Sequence, residues 1–208
     1  MIVPLRTALL LLALGTCPFI HADVHAAAPA PVLKRAVVKR LELWQRAAPL
    51  TRARYTLTRK TSLLWDPLVV HGTLTRTPEL LELRDDERTG ATTRLMPGRC
   101  EISANDAALP QSPVQPSPAL TWLQDHLQAL LGARDQDALL RDARISIPRG
   151  PGSMFELSPR SSHPAHATID GLRVRLEPDT GELLELELVL SDGDRVTLTL
   201  GDPQRPPV

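Results

Sequence analysis

A chain of 208 residues is long enough to form one domain with a substantial hydrophobic core. Its 24 Lys and Arg are balanced by 24 Asp and Glu, which argues against general attraction to nucleic acid or to anionic membranes. Only 3% of the residues are aromatic, too few for base-stacking platforms or for an aromatic strip that binds sugars.

The first 22 residues have the pattern of an export signal that is removed from the mature protein. Arg6 is followed by an apolar run at residues 8–14, which is too short to span a bilayer. Small residues predict cleavage near Ala22 or Ala26, which indicates a mature protein in the periplasm. The alternative is a buried N-terminal helix, but Pro- and Ala-rich sequence follows at once and disfavours it.

The two cysteines are informative by their positions. Cys17 lies in the predicted signal, where it is a weak candidate for lipid attachment because Thr16 stands at a position that normally holds Gly or Ala. Cys100 is then the only cysteine of the mature chain, so an intramolecular disulfide is excluded. We interpret Cys100 as a small buried hydrophobe on a strand rather than a nucleophile.

The first half of the mature chain predicts one amphipathic helix followed by five strands. The helix covers residues 32–48, with Lys and Arg opposite an apolar stripe, and this pattern favours packing against a sheet over lying on a membrane. The stripe consists of Leu33, Ala36, Val37, Leu41 and Trp44. The strands are predicted at residues 53–58, 68–75, 79–85, 92–96 and 99–103.

A helical insert is predicted at residues 118–143, after a proline-rich loop at 110–118. Its first helix, residues 118–131, carries leucines along one side and ends before Gly132, a natural helix stop. The leucines are Leu120, Leu123, Leu127, Leu130 and Leu131. A second, shorter helix is predicted at 135–143.

The last part of the chain predicts five more strands, of which the final three form an antiparallel meander. The strands are predicted at 144–147, 154–158, 172–176, 184–190 and 196–200. In the meander, leucine and valine alternate with charged residues and threonine, which indicates one apolar and one polar face. Leu184, Leu186, Leu188 and Leu190 should share the apolar face. On the polar face, Glu185 and Glu187 should pair across the hairpin with Arg173 and Arg175.

These elements predict an α+β, mainly β domain over residues 23–208. Ten twisted strands should curl into an open, curved antiparallel half-barrel rather than lie flat. The apolar face, which is almost all leucine, needs a cover, and the helical insert is suited to be its lid.

Motifs of catalysis are scarce. The chain has no nucleophile elbow, phosphate-binding loop or zinc-protease motif. His163 and His166, with Asp170 beyond them, are the nearest approach to a metal site, but a polar turn is the better interpretation. The acidic cluster Glu82, Asp85, Asp86 and Glu87 is interpreted as a solvated strand end rather than as an acid–base pair. We therefore expect no enzyme activity, no metal and no cofactor.

Four segments resemble those of one known family in sequence and order. Residues 52–59 (RARYTLTR) are similar to that family's first strand, and 67–74 (PLVVHGTL) to its second, with the pattern PL…G.L. Residues 77–81 (TPELL) are similar to its RP..L turn, and 169–200 to its closing hairpins. The family is that of the LolA-like periplasmic lipoprotein carriers.

One departure from the family concerns an arginine. The family's turn has Arg directly before the proline, where it holds the lid shut, whereas Thr77 precedes Pro78 in this chain and the nearest arginine is Arg76. Because a shift of one residue reverses the face of a strand, the lid-locking role is not carried over to Arg76.

The resemblance implies a monomeric carrier of lipid or lipoprotein acyl chains, with a donor at the inner membrane and an acceptor at the outer membrane. The alternative is a lipid- or peptide-sensing module of the same fold that does not transport; a metal-dependent enzyme that uses the two histidines is a third hypothesis. We expect an apolar cavity lined by nine residues. They are Leu57, Val69, Leu81, Leu83, Leu123, Leu127, Leu186, Leu188 and Leu198.

Overall fold

The computed structural model describes residues 35–47, 49–87, 90–96, 99–104, 117–132, 135–148 and 153–204. Within these ranges the helices are α1 (Arg35–Arg46), α2 (Pro118–Leu131), α3 (Gln136–Leu140) and a 3-10 helix (Pro164–Ala167). The strands are β1 (Arg52–Lys60), β2 (Leu68–Arg76), β3 (Leu81–Asp85), β4 (Ala91–Met96), β5 (Arg99–Ala104), β6 (Ala143–Ser146), β7 (Ser153–Pro159), β8 (Ile169–Leu176), β9 (Leu183–Leu190) and β10 (Arg195–Gln204). The predicted export signal, Cys17 and most of the proline-rich loop lie outside the described residues.

All ten strands form one antiparallel sheet that does not close. Their order is β5-β4-β3-β2-β1-β10-β9-β8-β7-β6, so β5 and β6 lie at the two edges. The first and last strands are central neighbours, with Leu57 of β1 opposite Leu198 of β10. The two five-strand halves of the chain therefore join along the β1–β10 pair, and the fold is the predicted open sheet with helices.

The sheet curves strongly around α2. Leu95 of β4 and Leu172 of β8 line the same small cavity, although six strand-to-strand steps separate these strands. In a flat sheet, steps of about 4.8 Å would place the two strands roughly 29 Å apart. Only a bent sheet brings both side chains to one helix, as the half-barrel prediction requires.

Helix α1 packs on the core through the face that its periodicity predicts. Val37, Leu41 and Trp44 are buried, and Trp44 Nε1 donates a hydrogen bond to the Leu130 carbonyl of α2 at 3.1 Å. Ala36, which we expected in the same stripe, is exposed. Three buried side chains, one of them hydrogen-bonded to α2, establish that α1 is a core helix.

One of the expected surface features differs in the structure. Asp85 is not solvated: it is 3% exposed and accepts hydrogen bonds from Tyr55 Oη at 2.8 Å and from Ala91 N at 2.9 Å. The Tyr55 ring reaches Asp85 over Gly72, where a Cβ atom would lie 2.5 Å from the ring. Burial and the Asp85 carboxylate raise the pKa of Tyr55 far above its ordinary value. The acidic cluster is thus partly a buried structural network.

In the final meander, Leu184 does not face the core. A register shift follows Arg175, so that Leu176 pairs with Leu183, and Leu183 takes the buried position. The predicted charge pairs are confirmed: Arg173 contacts Glu187 at 3.0 Å and Arg175 contacts Glu185. These pairs keep the polar face of the meander in register.

The helical insert begins and ends close to the predicted residues. Ser117 caps α2 by accepting from Leu120 N at 3.2 Å, and Pro118 occupies the first turn, where its missing N–H costs nothing. Helix α3 is shorter than predicted. Its cap Arg141 is extended and Asp142 has a φ of 54°, a left-handed conformation that ends the helix.

Candidate functional site

The site centres on an apolar cavity between α2 and the inner face of the sheet. Its floor follows a cross-strand row in which Leu57 pairs with Leu198, Leu198 with Leu186, and Leu186 with Val174. Its roof consists of Leu120, Leu123 and Leu127 of α2. The alternation of β1, β3, β4, β8, β9 and β10 and the periodicity of α2 direct aliphatic side chains into this one space.

Seven of the nine residues predicted for the cavity line it. They are Leu57, Leu83, Leu123, Leu127, Leu186, Leu188 and Leu198. Leu81 is 1% exposed and packs in the surrounding core rather than at the cavity. Val69 lies on the opposite face of β2 and is 43% exposed, because Val70, Gly72 and Leu74 hold the inward positions of that strand. The prediction for Val69 is wrong by one residue of register.

Five further lining residues were missed. They are Thr93, Leu95, Leu120, Leu172 and Val196. Four of them occupy apolar positions of predicted elements, so alternation could have included them. Thr93 could not be found this way, since a polar residue in an apolar wall gives no signal; its Oγ1 is buried without a hydrogen-bond partner.

The cavity is small in this conformation, with a volume of about 60 Å³. An apolar cavity of about 150 Å³ can hold benzene, so this one is small even beside that guest. Leu120, Leu123 and Leu127 of α2 cover the sheet leucines at the cavity.

The C-terminal end of α2 is attached to its neighbours by backbone contacts. Leu130 accepts the Trp44 side-chain bond, and the Leu131 carbonyl accepts from Leu50 N at 3.2 Å. The part that roofs the cavity, from Leu120 to Leu127, lies N-terminal to these contacts.

The opposite side of α2 lines a groove of about 410 Å³ that contains both polar and apolar side chains. Here the ring of His126 stacks on Trp122 with centroids 4.0 Å apart, and Nδ1 of His126 donates to the Trp122 carbonyl at 2.7 Å. Burial lowers the pKa of His126, which keeps the imidazole neutral near pH 7. Gln124 donates to the Arg99 carbonyl at 3.2 Å, while its Oε1 has no partner.

Arg76 lies at this groove and contacts the end of α2. A Cβ atom on Gly132 would lie 2.5 Å from Nη2 of Arg76. Arg76 has the same strand parity as Val70 and Leu74, so its side chain starts from the inner face. Burial lowers its pKa. Arg76 thus starts on the inner face of β2 and reaches the C-terminal end of α2.

His163 of the histidine pair has a structural role. Nδ1 of His163 accepts from Ala165 N at 3.1 Å and caps the 3-10 helix that contains His166, while Asp170 is exposed at the start of β8. Among the residues that the structure describes, no three His, Cys, Asp or Glu side chains are grouped closely enough to hold a metal ion. Cys100 is fully buried, and burial raises the pKa of its thiol to about 11.

Neither a protein-family model nor a curated protein sequence matches this chain. Solved structures do match. A LolA superfamily protein from Nitrosomonas europaea superposes over 82% of this chain and 94% of its own, with a TM-score of 0.43 and 7% identity. A DUF1329 family protein from Desulfovibrio piger gives 0.44 and 6%, covering 83% and 94%.

The chain is thus similar to solved structures that include a LolA superfamily protein. MucB gives a TM-score of 0.42 at 14% identity, with 82% of this chain and 60% of MucB covered. At these TM-scores and identities the likeness assigns no family membership and no ligand. No helix in the described ranges is both long and apolar enough to cross a bilayer.

Proposed function

We propose that this chain is a periplasmic carrier that binds the acyl chains of a lipoprotein or glycolipid and moves them toward the outer membrane. The observation that supports the proposal is the cavity lined by eleven aliphatic residues and one threonine beneath a helix. Aliphatic contact is non-directional, so such a surface accepts flexible hydrocarbon chains of varied conformation.

Exchange of partners would drive loading. We call the arrangement in this structure the closed state: Leu120, Leu123 and Leu127 of α2 cover the sheet leucines. An acyl chain that replaces these side chains buries the same sheet surface, at about 0.8 kcal/mol for each buried CH₂. The binding free energy would then be the difference between covering the sheet with the acyl chain and covering it with α2. Such a moderate affinity suits a carrier that must also release its cargo.

The first 22 residues are proposed to direct the chain out of the cytoplasm, after which residues 23–208 act as one monomeric domain. Cargo would come from a donor at the inner membrane and pass to an acceptor at the outer membrane. No covalent step is needed, and the described site supplies none.

Binding is tested with cis-parinaric acid, whose fluorescence rises in apolar surroundings. The purified chain should bind it saturably. Leu198→Asn should weaken binding at least tenfold, whereas Thr199→Asn, one residue along β10 and exposed, should leave it unchanged. Both variants are first compared with the parent by urea unfolding. No saturable binding by the parent chain would contradict the proposal.

Transport is tested separately from binding. Chain loaded with the probe is mixed with lipid vesicles, and a carrier should transfer the probe to them within minutes. Probe that stays bound, together with a stable complex with an added peptide, would instead favour the sensing module.

A further inference from the structure

The turn that connects β1 to β2 exposes three consecutive apolar side chains. In this hairpin tip (residues 61–67), Leu63, Leu64 and Trp65 are 89%, 54% and 103% exposed. By contrast, Trp44 and Trp122 are 0% and 2% exposed. Soluble proteins seldom leave such a cluster in water unless it contacts something.

The tip is held in a defined conformation. Ser62 N donates to Asp194 Oδ1 at 3.1 Å, and Leu63 N and Leu64 N donate to the side chain and carbonyl of Thr61 at 3.1 and 3.3 Å. Asp194 is itself buried and paired with Arg59 at 3.2 Å. Three amide groups of the tip are thus bonded without water, which lowers the cost of placing them in apolar surroundings.

We propose that the hairpin tip inserts Leu63, Leu64 and Trp65 into the interface of a lipid bilayer. Tryptophan prefers the level of the lipid headgroups. The contact area of the tip is also small, because it consists of one tryptophan, which supplies at most about 250 Å², and two leucines. A stable protein interface needs about 800 Å² from each partner.

Charge points to a neutral rather than an anionic surface. Lys60 and Asp66 are both exposed beside the apolar residues, so the tip carries no net charge from them. Insertion should therefore occur in zwitterionic vesicles and change little with salt. The inference rests on the tip alone and holds whether or not the cavity binds acyl chains.

The tip also lies near the cavity. Leu57 of the cavity wall precedes Leu63 by six residues, which an extended chain spans in at most about 20 Å. A bilayer contacted by the tip would therefore be within a lipid length of the site.

The test uses fluorescence of the full chain with phosphatidylcholine vesicles. Because the other two tryptophans are buried, red-shifted emission reports on Trp65. Vesicles should shift this emission to the blue, and brominated lipid should quench it. Trp65→Ser should lose both signals, and Leu63→Ser should lower vesicle co-sedimentation at least fivefold. Val69→Thr, an exposed change within the β2 strand, should have no effect.

Three results would overturn the inference. The first is Trp65 emission that vesicles leave unchanged. The second is co-sedimentation of both tip variants at the level of the parent chain. The third is a dimer in sedimentation velocity that the tip variants fail to form. The last result would assign the tip to a second copy of the chain. Titration of Trp65→Ser with cis-parinaric acid separates the two proposals, because cavity binding should be retained when vesicle binding is lost.

Discussion

Shortening Leu123 of α2 to alanine should tighten acyl binding, although it removes an apolar group from the cavity. Leu123 is 3% exposed and packs against the sheet leucines in the closed state. The change deletes three carbon atoms worth about 0.8 kcal/mol each, and the existing cavity grows. Within the range of about 2–5 kcal/mol for such substitutions, we expect a loss of about 3 kcal/mol.

The substitution destabilises the closed state but not the loaded state, because in the proposed carrier a bound chain has displaced α2 from the sheet. At about 1.4 kcal/mol per factor of ten, apparent affinity for cis-parinaric acid should rise by up to about 100-fold. The matched control is Leu186→Ala. Its side chain contacts both the closed helix and the proposed guest, so affinity should not rise.

The assay combines probe titration with urea unfolding of the same samples. A lower free energy of unfolding in Leu123→Ala with constant or lower probe affinity would show that α2 does not compete with the guest. An equal gain of affinity in Leu186→Ala would show the same.

Four other substitutions test individual contacts. Because the pKa of Tyr55 is raised in the fold by burial and Asp85, the folded protein holds that proton more tightly, and stability should fall as the pH rises above 10.0. In urea unfolding, the free energy of unfolding of Tyr55→Phe should fall less over the same pH range. An equal fall would contradict the role given to Tyr55. The pKa of His126 is lowered from 6.5 by burial, so stability should fall as the pH drops below 6.5, and His126→Asn should lose this acid dependence. Thr93→Val removes an unpartnered buried hydroxyl and should raise the free energy of unfolding by about 1 kcal/mol, which a lower melting temperature would disprove. Arg173→Gln breaks two partly exposed ion pairs and should cost up to about 1 kcal/mol, less in high salt; a cost that salt does not reduce would exclude an electrostatic origin.

Local patterns predicted α2 well because its signals agree. A serine cap, a proline in the first turn, leucines at helical spacing and a terminal glycine all specify residues 118–131. The strict alternation of β10 likewise placed Leu198 on the inner face. Where propensity, capping and periodicity agree, the local sequence is sufficient to predict the element and the face that its side chains take.

The remaining errors arise where local pattern is ambiguous or tertiary contact decides. Leu68, Val69 and Val70 are consecutive apolar residues, so alternation alone could not say which face each takes. The fate of Asp85 depended on Tyr55, which reaches it from β1. The contact of Arg76 with Gly132 was likewise not evident from the sequence, because it joins β2 to the end of a helix more than fifty residues away.

The hairpin tip carried a signal that was available but unused. Turns between strands are normally polar, whereas residues 63–65 are Leu-Leu-Trp. An apolar run without a strand partner is a reason to consider an external contact.

The adjacency of β1 and β10 has a consequence for how this protein attains its structure. Arg54 is paired in register with Gly201, so the middle of the sheet cannot assemble before the chain has been synthesised through β10. Contacts so distant in sequence slow folding, because a large loop must close before they form. Until β1 and β10 pair, each half of the sheet has an unpaired edge strand. Chaperones that shield such edges should therefore raise the yield of native protein.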